Sequence, residues 1–274
     1  MNMTHPISRF LARVIELRDD WRDEDYTKYK ERSKEGDVDF EPGSCWFRGV
    51  SNADYRLVPK QYRNTGYKLR KFQRKEPNYE EIIYGFKSRA MQMMSEPHLP
   101  ASEKDWYFLM QHYGAPTRLL DWTDGALLAL FFAVRELKEP RDAAVWMLDP
   151  SWLNEVANKI DGGVRLSEWA ETDPWLPKPF DEVLHPALPL AVDPPHVARR
   201  LSVQRSHFTI HGTDKDGLDK MAEKENARLV KILVPAGDIV DVIDDLRTCG
   251  ISETTVFPDL DALSQELLHE WCGE

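Results

Sequence analysis

The feature that most constrains the fold is an apolar run near the middle of the chain, GALLALFFAV at residues 125–134. Nearly every position is apolar, so the helix predicted over residues 125–137 is hydrophobic almost all round. A helix without a polar face has to be buried. The run is well short of the roughly 20 apolar residues that span a bilayer. We therefore predict that this helix lies at the centre of a soluble core.

Around this helix, the sequence pattern predicts an irregular mixture of strands and helices. Short apolar and β-branched runs indicate strands at residues 45–50, 143–149, 206–212, 229–234 and 253–257, and a short strand or turn at 119–122. Helical periodicity indicates helices at about 6–20, 79–94, 102–114 and 238–247, and a closing helix that carries Leu260 and Trp271. No glycine-rich phosphate loop is present. The pattern favours an α+β fold over a doubly wound parallel sheet.

Two stretches carry little periodicity. A charged segment follows the first helix, so residues 1–39 are predicted to be an N-terminal helix and a surface connector. Residues 152–199 are proline-rich, and a long stretch of this kind in a compact domain is usually functional. We predict that it is an ordered loop or insertion over the surface.

Charge and cysteine content limit the partners and the compartment. The net charge of −11 argues against broad, non-specific nucleic-acid binding, although the basic run YKLRKFQRK at residues 67–75 leaves a local site open. Three widely spaced cysteines and the lack of an apolar leader fit a reducing cytoplasm. No membrane partner is expected.

Arg48 is the first candidate functional residue. It lies within the predicted strand WFRGV, where a guanidinium loses hydration unless it is paired. Two interpretations are equally open, namely a buried structural ion pair and an arginine that holds an anion. The adjacent Gly49 allows another backbone segment to approach closely.

The second candidate is the sequence QHYGAPTRLLDWT at residues 111–123, directly before the apolar helix. His112 and Tyr113 end the preceding helix, where a histidine is usually structural. Polar groups then follow at Thr117, Arg118 and Asp121. A structural Arg118–Asp121 pair explains this polarity as well as an active site does.

The remaining candidates lie towards the C-terminus. Glu253 begins the predicted strand ETTVF, where a carboxylate is either solvated or part of a site. Gln204, His207 and His211 lie in SVQRSHFTIHG. The histidines are too loosely placed for a helix-based metal pair, and no cysteine cluster supports zinc, so no metal is predicted.

Taken together, these motifs resemble the FRG-domain family, which is named for a Phe-Arg-Gly motif. The resemblance is carried by the sequences FRG at 47–49, QHYGAPTRLLDWT at 111–123, QRSHFTIHG at 204–212 and TTVFPDLD at 254–261. It covers roughly residues 40–270, and it implies an FRG domain over 40–274 with the proline-rich insertion at about 152–199.

The order of the motifs is also similar, more distantly, to that of ADP-ribosyltransferases. That similarity implies a mixed, mostly antiparallel β-core flanked by helices, with NAD bound as a substrate in a cleft. Arg48 and Glu253 would be catalytic. The cofactor-binding set would be Arg48, Gly49, His112, Tyr113, Thr117, Arg118, Asp121, Trp122 and Thr123, and the substrate-binding set Gln204, His207 and His211.

The resemblance implies an NAD-dependent ADP-ribosyltransferase-like effector that acts as a toxin or in phage defence. Its acceptor would be a nucleic acid or a protein, and an antitoxin or defence-system protein would be its partner. Ser252-Glu253 departs from a glutamate-x-glutamate pattern, which makes a protein arginine a less favoured acceptor. The alternative is a non-catalytic module that recognises a nucleotide, a nucleic acid or a protein. A nuclease is least favoured, because Asp241, Asp244 and Asp245 have the spacing of a solvated helix face.

Overall fold

The computed structural model describes residues 5–32, 44–63, 79–94, 99–100, 102–135, 141–158, 175, 186–192 and 206–272. The helices are α1 (Pro6–Arg32), α2 (Tyr79–Ala90), α3 (Glu103–His112), α4 (Ala126–Val134), α5 (Pro150–Asn158), α6 (Gly217–Ala222), α7 (Ile239–Thr248), α8 (Glu253–Val256) and α9 (Leu260–Cys272). The strands are β1 (Trp46–Val50), β2 (Leu119–Thr123), β3 (Ala143–Leu148), β4 (Leu190–Val192), β5 (Ser206–Ile210) and β6 (Leu229–Val234).

The strands form one six-stranded sheet in the order β4-β5-β2-β1-β3-β6, and every neighbouring pair is antiparallel. The fold is therefore α+β, with helices flanking an antiparallel sheet, as the sequence predicts. The central pair is unusual. β1 and β2 share a single registered residue pair, Phe47 with Thr123, whereas β1 and β3 are in register over five residues. Backbone pairing between β1 and β2 is therefore limited to one end of the two strands.

Side chains alternate between the two faces of the sheet, and each face has its own core. On the first face, α1, α4 and α7 pack against β1, β3 and β6, while α2 and α3 pack against β2, β4 and β5. On the second face, α5 and α6 cover tryptophans of the central strands. The first face thus carries two groups of helices, with the β1–β2 pair between them.

Helix α4 is the most closely packed element of the first face. Its Ala129 and Leu130 are fully buried, as the all-round apolar pattern predicts. It lies directly on Gly49 of β1: a Cβ atom there would be 2.0 Å from the carbonyl oxygen of Ala129 and 2.6 Å from the backbone nitrogen of Ala133. The predicted close backbone approach at Gly49 is confirmed, and the approaching segment is α4.

The N-terminal prediction is wrong in one respect. The chain does not become an irregular connector after residue 20, because α1 continues as a helix to Arg32. Buried residues of α1, among them Phe10 and Trp21, join the same core cluster as α4. Arg228 then forms ion pairs with Glu24 and Asp25 in the later turns, which ties the charged half of α1 to the sheet.

The interpretation of residues 152–199 as a loop is also corrected at both ends. Helix α5 continues to Asn158, and β4 pairs with β5 as the edge of the sheet. Trp175, which is buried, donates an indole hydrogen bond to the carbonyl oxygen of Leu188. The other residues between 159 and 185, and those between 193 and 199, lie outside the described ranges, as do the basic run at 67–75 and Gln204.

The predicted last strand, ETTVF, is wrong. Glu253–Val256 is a short helix, and Ser252 forms a capping box with Thr255 at its start. Of the helices in the described ranges, none combines the length and the apolar character that a membrane crossing requires.

Candidate functional site

A cleft of about 1120 Å³ lies at the β1–β2 pair, and residues of α3, of α4 and of the segment that follows β1 line it. Its floor includes Phe47, Asp121 and Phe208, from the central strands, and its walls include Gln111 of α3 and Phe132 of α4. The cleft lies over the β1–β2 pair, where the backbone ladder is incomplete. The volume is slightly above the roughly 300–1,000 Å³ of typical small-molecule pockets.

Arg48 bridges the two separated strands. Its Nη1 donates to the carbonyl oxygen of Asp121 at 2.6 Å and lies 3.7 Å from Oδ2 of the same residue. The guanidinium carries five N–H donors, so its contacts with Asp121 leave further donors on the side chain. Burial lowers the pKa of the Arg48 guanidinium, while the Asp121 carboxylate partly opposes that effect.

Asp121 is held in place by a chain of hydrogen bonds that begins at a buried threonine. Thr117 donates from Oγ1 to Oε1 of Gln111, which fixes the orientation of the Gln111 amide. Nε2 of Gln111 then donates to both carboxylate oxygens of Asp121, at 2.9 and 3.0 Å. The Asp121 side chain is still 56 % exposed, so a positioned carboxylate faces the cleft beside Arg48.

The cleft is cationic, although the chain as a whole is acidic. Five cationic side chains and two carboxylates line it: Arg48, Arg56, Arg63, Arg135 and Lys215, with Asp121 and Asp216. Arg56 is paired with Asp216 and Asp219, each at 2.9 Å. Arg135 is in turn paired with Glu253. In a protein of net charge −11, Arg48, Arg63 and Lys215 are then the lining cations that favour an anionic ligand at this place.

One wall of the cleft is aromatic. Phe132 of α4 and Phe257, directly after α8, meet edge to face with ring centroids 6.0 Å apart. The guanidinium carbon of Arg135 lies 4.3 Å from the Phe257 ring centroid. Nε and Nη2 of Arg135 donate to the two carboxylate oxygens of Glu253 at 3.2 and 3.1 Å.

Six of the residues predicted from the sequence line the cleft: Arg48, Gly49, His112, Asp121, Trp122 and Thr123. Trp122 is only 2 % exposed and donates from Nε1 to Oγ1 of Thr209, so its ring has little free surface for stacking. Oγ1 of Thr123 accepts from the backbone N–H of Gly125, at the start of α4.

The other predicted residues of the central motif do not line the cleft. Tyr113 is 70 % exposed beyond the end of α3. Arg118 is buried and donates to the carbonyl oxygen of Trp175. The alternative of a structural Arg118–Asp121 pair is wrong, because Arg48 is the cation beside Asp121. Thr117 contributes only through Gln111.

The two histidines and Glu253 also lie outside the cleft lining. His207 stacks on Trp46, with ring centroids 4.5 Å apart. His211 is fully buried, and Nε2 contacts the carbonyl oxygen of Leu57 at 3.1 Å; burial lowers the His211 pKa to about 3. Glu253 approaches the site only through Arg135. The structure thus brings Arg48 and Asp121 together and leaves Glu253 behind a lining residue.

Sequence reasoning missed Gln111 and the residues of the aromatic wall. Gln111 precedes His112 on the last turn of α3, and its polarity beside a Gly-Ala-Pro break was the available signal. Arg135 directly follows the apolar helix. A cation is common at a helix C-terminus because it interacts favourably with the helix dipole, so its presence there does not indicate a binding site. Within the described ranges, no group of three or more His, Cys, Asp or Glu side chains is arranged to hold a metal ion.

Comparison with known proteins gives one match. Neither the search of the curated proteins nor the search of the solved structures found a match. The family model that matches is the FRG domain, over residues 43–142, a range that contains Arg48, Gln111 and Asp121. The chain is therefore similar to the FRG domain over this range, which supplies most of the residues that line the cleft.

Proposed function

We propose that the cleft binds a dinucleotide such as NAD through Arg48, and that bound NAD donates ADP-ribose to an acceptor. The observation that carries the proposal is the state of Arg48. Its guanidinium is largely buried, is paired with Asp121, and lines an open cleft together with Arg63 and Lys215. A planar fork of N–H donors matches the oxygens of a diphosphate.

The transfer requires a carboxylate close to the ribose. When the bond between nicotinamide and ribose C1′ breaks, nicotinamide leaves with the bonding electrons and positive charge develops on the ribose. An acceptor hydroxyl or amine then bonds to C1′ and gives up its proton. A carboxylate stabilises the developing charge and receives that proton. The geometry favours Asp121 for this role, since its positioned carboxylate faces the cleft.

The catalytic role of Glu253 remains a prediction, and its position supports a second candidate function. Its carboxylate is engaged by Arg135 and does not line the cleft. A module that binds a nucleotide without turning it over would need Arg48 and Arg63 but no catalytic carboxylate. The two candidates share the binding step and differ only in the chemistry.

The binding step is tested by calorimetry with NAD and ADP-ribose, using wild-type protein and Arg48→Gln. Loss of a charged hydrogen-bonded contact predicts an affinity about 10- to 100-fold lower for the variant. Arg63→Gln serves as a second variant, because Arg63 lines the cleft from an exposed position. Arg13→Gln on α1 is the matched control, since Arg13 is paired with Glu16 on the surface. Absence of wild-type binding at about 1 mM of either ligand would refute the proposal.

The chemical step is tested separately by nicotinamide release and by transfer of labelled ADP-ribose to protein, DNA or RNA. Asp121→Asn is expected to abolish transfer while NAD still binds. Binding without nicotinamide release under any of these conditions would favour the second candidate. A role as a toxin or in phage defence, with an antitoxin partner, is a further proposal, and it is tested by expressing wild-type and Asp121→Asn chains in a host and comparing growth.

A further inference from the structure

The aromatic wall of the cleft is built from planar side chains that are fixed in place. Arg135 caps the C-terminal end of α4, and its guanidinium carbon lies 5.6 Å from the ring centroid of Phe131 as well as 4.3 Å from that of Phe257. Phe132 and Phe257 are both partly exposed and line the cleft. We call Phe132, Arg135 and Phe257 the stacking wall.

Glu253 decides what kind of ligand the stacking wall can take. It holds the edge of the Arg135 guanidinium with two hydrogen bonds, and both side chains are only 24 % exposed. The pair neutralises the charge of Arg135 and occupies two of its donors. Arg135 is therefore poorly suited to bind a phosphate, unlike Arg48. Its guanidinium instead packs against the Phe257 ring. Phe132 and Phe257 are partly exposed and present aromatic surface to the cleft that is suited to stacking.

We propose that the stacking wall binds the planar base of a nucleotide whose diphosphate is held by Arg48. This inference rests on the proposed function, because it requires a nucleotide in the cleft. Glu253 is then a positioning residue, which acts on the base through Arg135. The two sides of the cleft thus bind different parts of the ligand. The Arg48 side binds the negatively charged diphosphate, and the α4–α8 side binds the planar base.

The two parts of the ligand can be separated with two probes. ADP carries a diphosphate and a base, whereas inorganic pyrophosphate carries only the charge. Phe257→Leu is expected to lower the affinity for ADP by about tenfold, which is typical of a lost base–aromatic stack, and to leave pyrophosphate binding unchanged. Phe132→Leu provides the same test from α4, should Phe257→Leu fold poorly. Phe86→Leu is the matched control, because Phe86 packs in the α2–α3 core away from the cleft.

Glu253→Gln separates a positioning role from a catalytic one. If Glu253 orients Arg135, the variant binds ADP several-fold more weakly, and pyrophosphate as well as before. If Glu253 acts only in catalysis, ADP binding is unchanged and nicotinamide release is lost, which overturns its assignment as a positioning residue. Equal losses for ADP and pyrophosphate, or no loss in either phenylalanine variant, would overturn the stacking wall. A wild-type protein that binds neither probe removes the proposed function itself, which is a different outcome.

Discussion

Replacing Gly49 by alanine tests whether this glycine is required by the packing of α4. The added Cβ would lie 2.0 Å from the carbonyl oxygen of Ala129 and 2.6 Å from the backbone nitrogen of Ala133, whereas ordinary contacts begin at 3.4 Å. Both neighbours are backbone atoms, so no side-chain rotation relieves the overlap. Helix α4 would have to move away from β1 by about 1.4 Å, the difference between 3.4 and 2.0 Å.

The expected cost follows from what α4 carries. Ala129 and Leu130 are fully buried, so a displaced helix opens gaps in the core of the first face. Overpacking typically costs ~1–3 kcal/mol and occasionally more, and an overlap with backbone on two sides lies at the upper end. We expect Gly49→Ala to lower the free energy of unfolding by about 3 kcal/mol or more, out of the roughly 5–15 kcal/mol of a whole domain.

Urea unfolding followed by circular dichroism measures this change, with two alanine variants as controls. A Cβ at Gly85 or at Gly237 would have no heavy atom within 4 Å. Gly85 lies inside α2, where alanine is favoured over glycine by roughly 0.5–1 kcal/mol. We therefore expect Gly85→Ala to be neutral or stabilising. A loss below about 1 kcal/mol for Gly49→Ala, well under the usual cost of such an overlap, would refute the packing argument.

Three further predictions concern buried charge and the cleft. The His211 pKa of about 3 lies below its usual value, so the unfolded chain takes up the proton first on acidification. The contribution of His211 to stability is therefore full above the ordinary histidine pKa and should fall by about 2 kcal/mol from pH 7 to pH 5. The measurement is the difference in unfolding free energy between wild type and His211→Gln at each pH. Arg228→Met leaves the buried Asp149 carboxylate, 2.8 Å from Arg228, without its cationic partner and should cost about 3–5 kcal/mol in urea unfolding. Gln111→Glu puts a second carboxylate about 3 Å from Asp121 and should weaken ADP binding more at pH 8 than at pH 5, because the ionised pair repels the diphosphate.

Each of these predictions has a result that contradicts it. If the stability of His211→Gln falls between pH 7 and pH 5 as steeply as that of the wild type, the pH dependence arises from other groups. For Arg228→Met, the control is Lys220→Met: the Lys220 partner is Asp214, Lys220 is largely exposed, and surface pairs contribute ~0–1 kcal/mol. Equal losses in the two variants would contradict the argument from burial. If Gln111→Glu weakens ADP binding equally at pH 5 and pH 8, the weakening does not arise from the charge of the new carboxylate.

The central part of the candidate site carries local signals in the sequence. Arg48 lies in a short strand, and Asp121 lies in a second strand just before an apolar helix that has to be central. In the structure both residues line one cleft. The partner of Asp121 was not predicted, since Arg48 and Asp121 are 73 residues apart and Arg118 was nearer in sequence.

The C-terminal part was harder to predict, because capping and tertiary contacts override propensity there. The β-branched residues of ETTVF favour a strand, but Ser252 forms a capping box with Thr255 that starts a helical turn. Glu266 also accepts hydrogen bonds from Ser252 and Thr254. The ion pair between Arg135 and Glu253 spans 118 residues. No local pattern indicates such a contact.

The incomplete pairing of β1 with β2 links the fold to the proposed site. Where the backbone ladder stops, Arg48 supplies the hydrogen bond to the Asp121 carbonyl oxygen, so the same side chain joins the strands and faces the cleft. Arg48 therefore has two roles, whereas Arg63 lines the cleft from an exposed loop position. It follows that Arg48→Gln should reduce both stability and anion binding, while Arg63→Gln should reduce binding alone. An Arg48→Gln variant that binds weakly but unfolds like wild type would show that the guanidinium does not hold the two strands together.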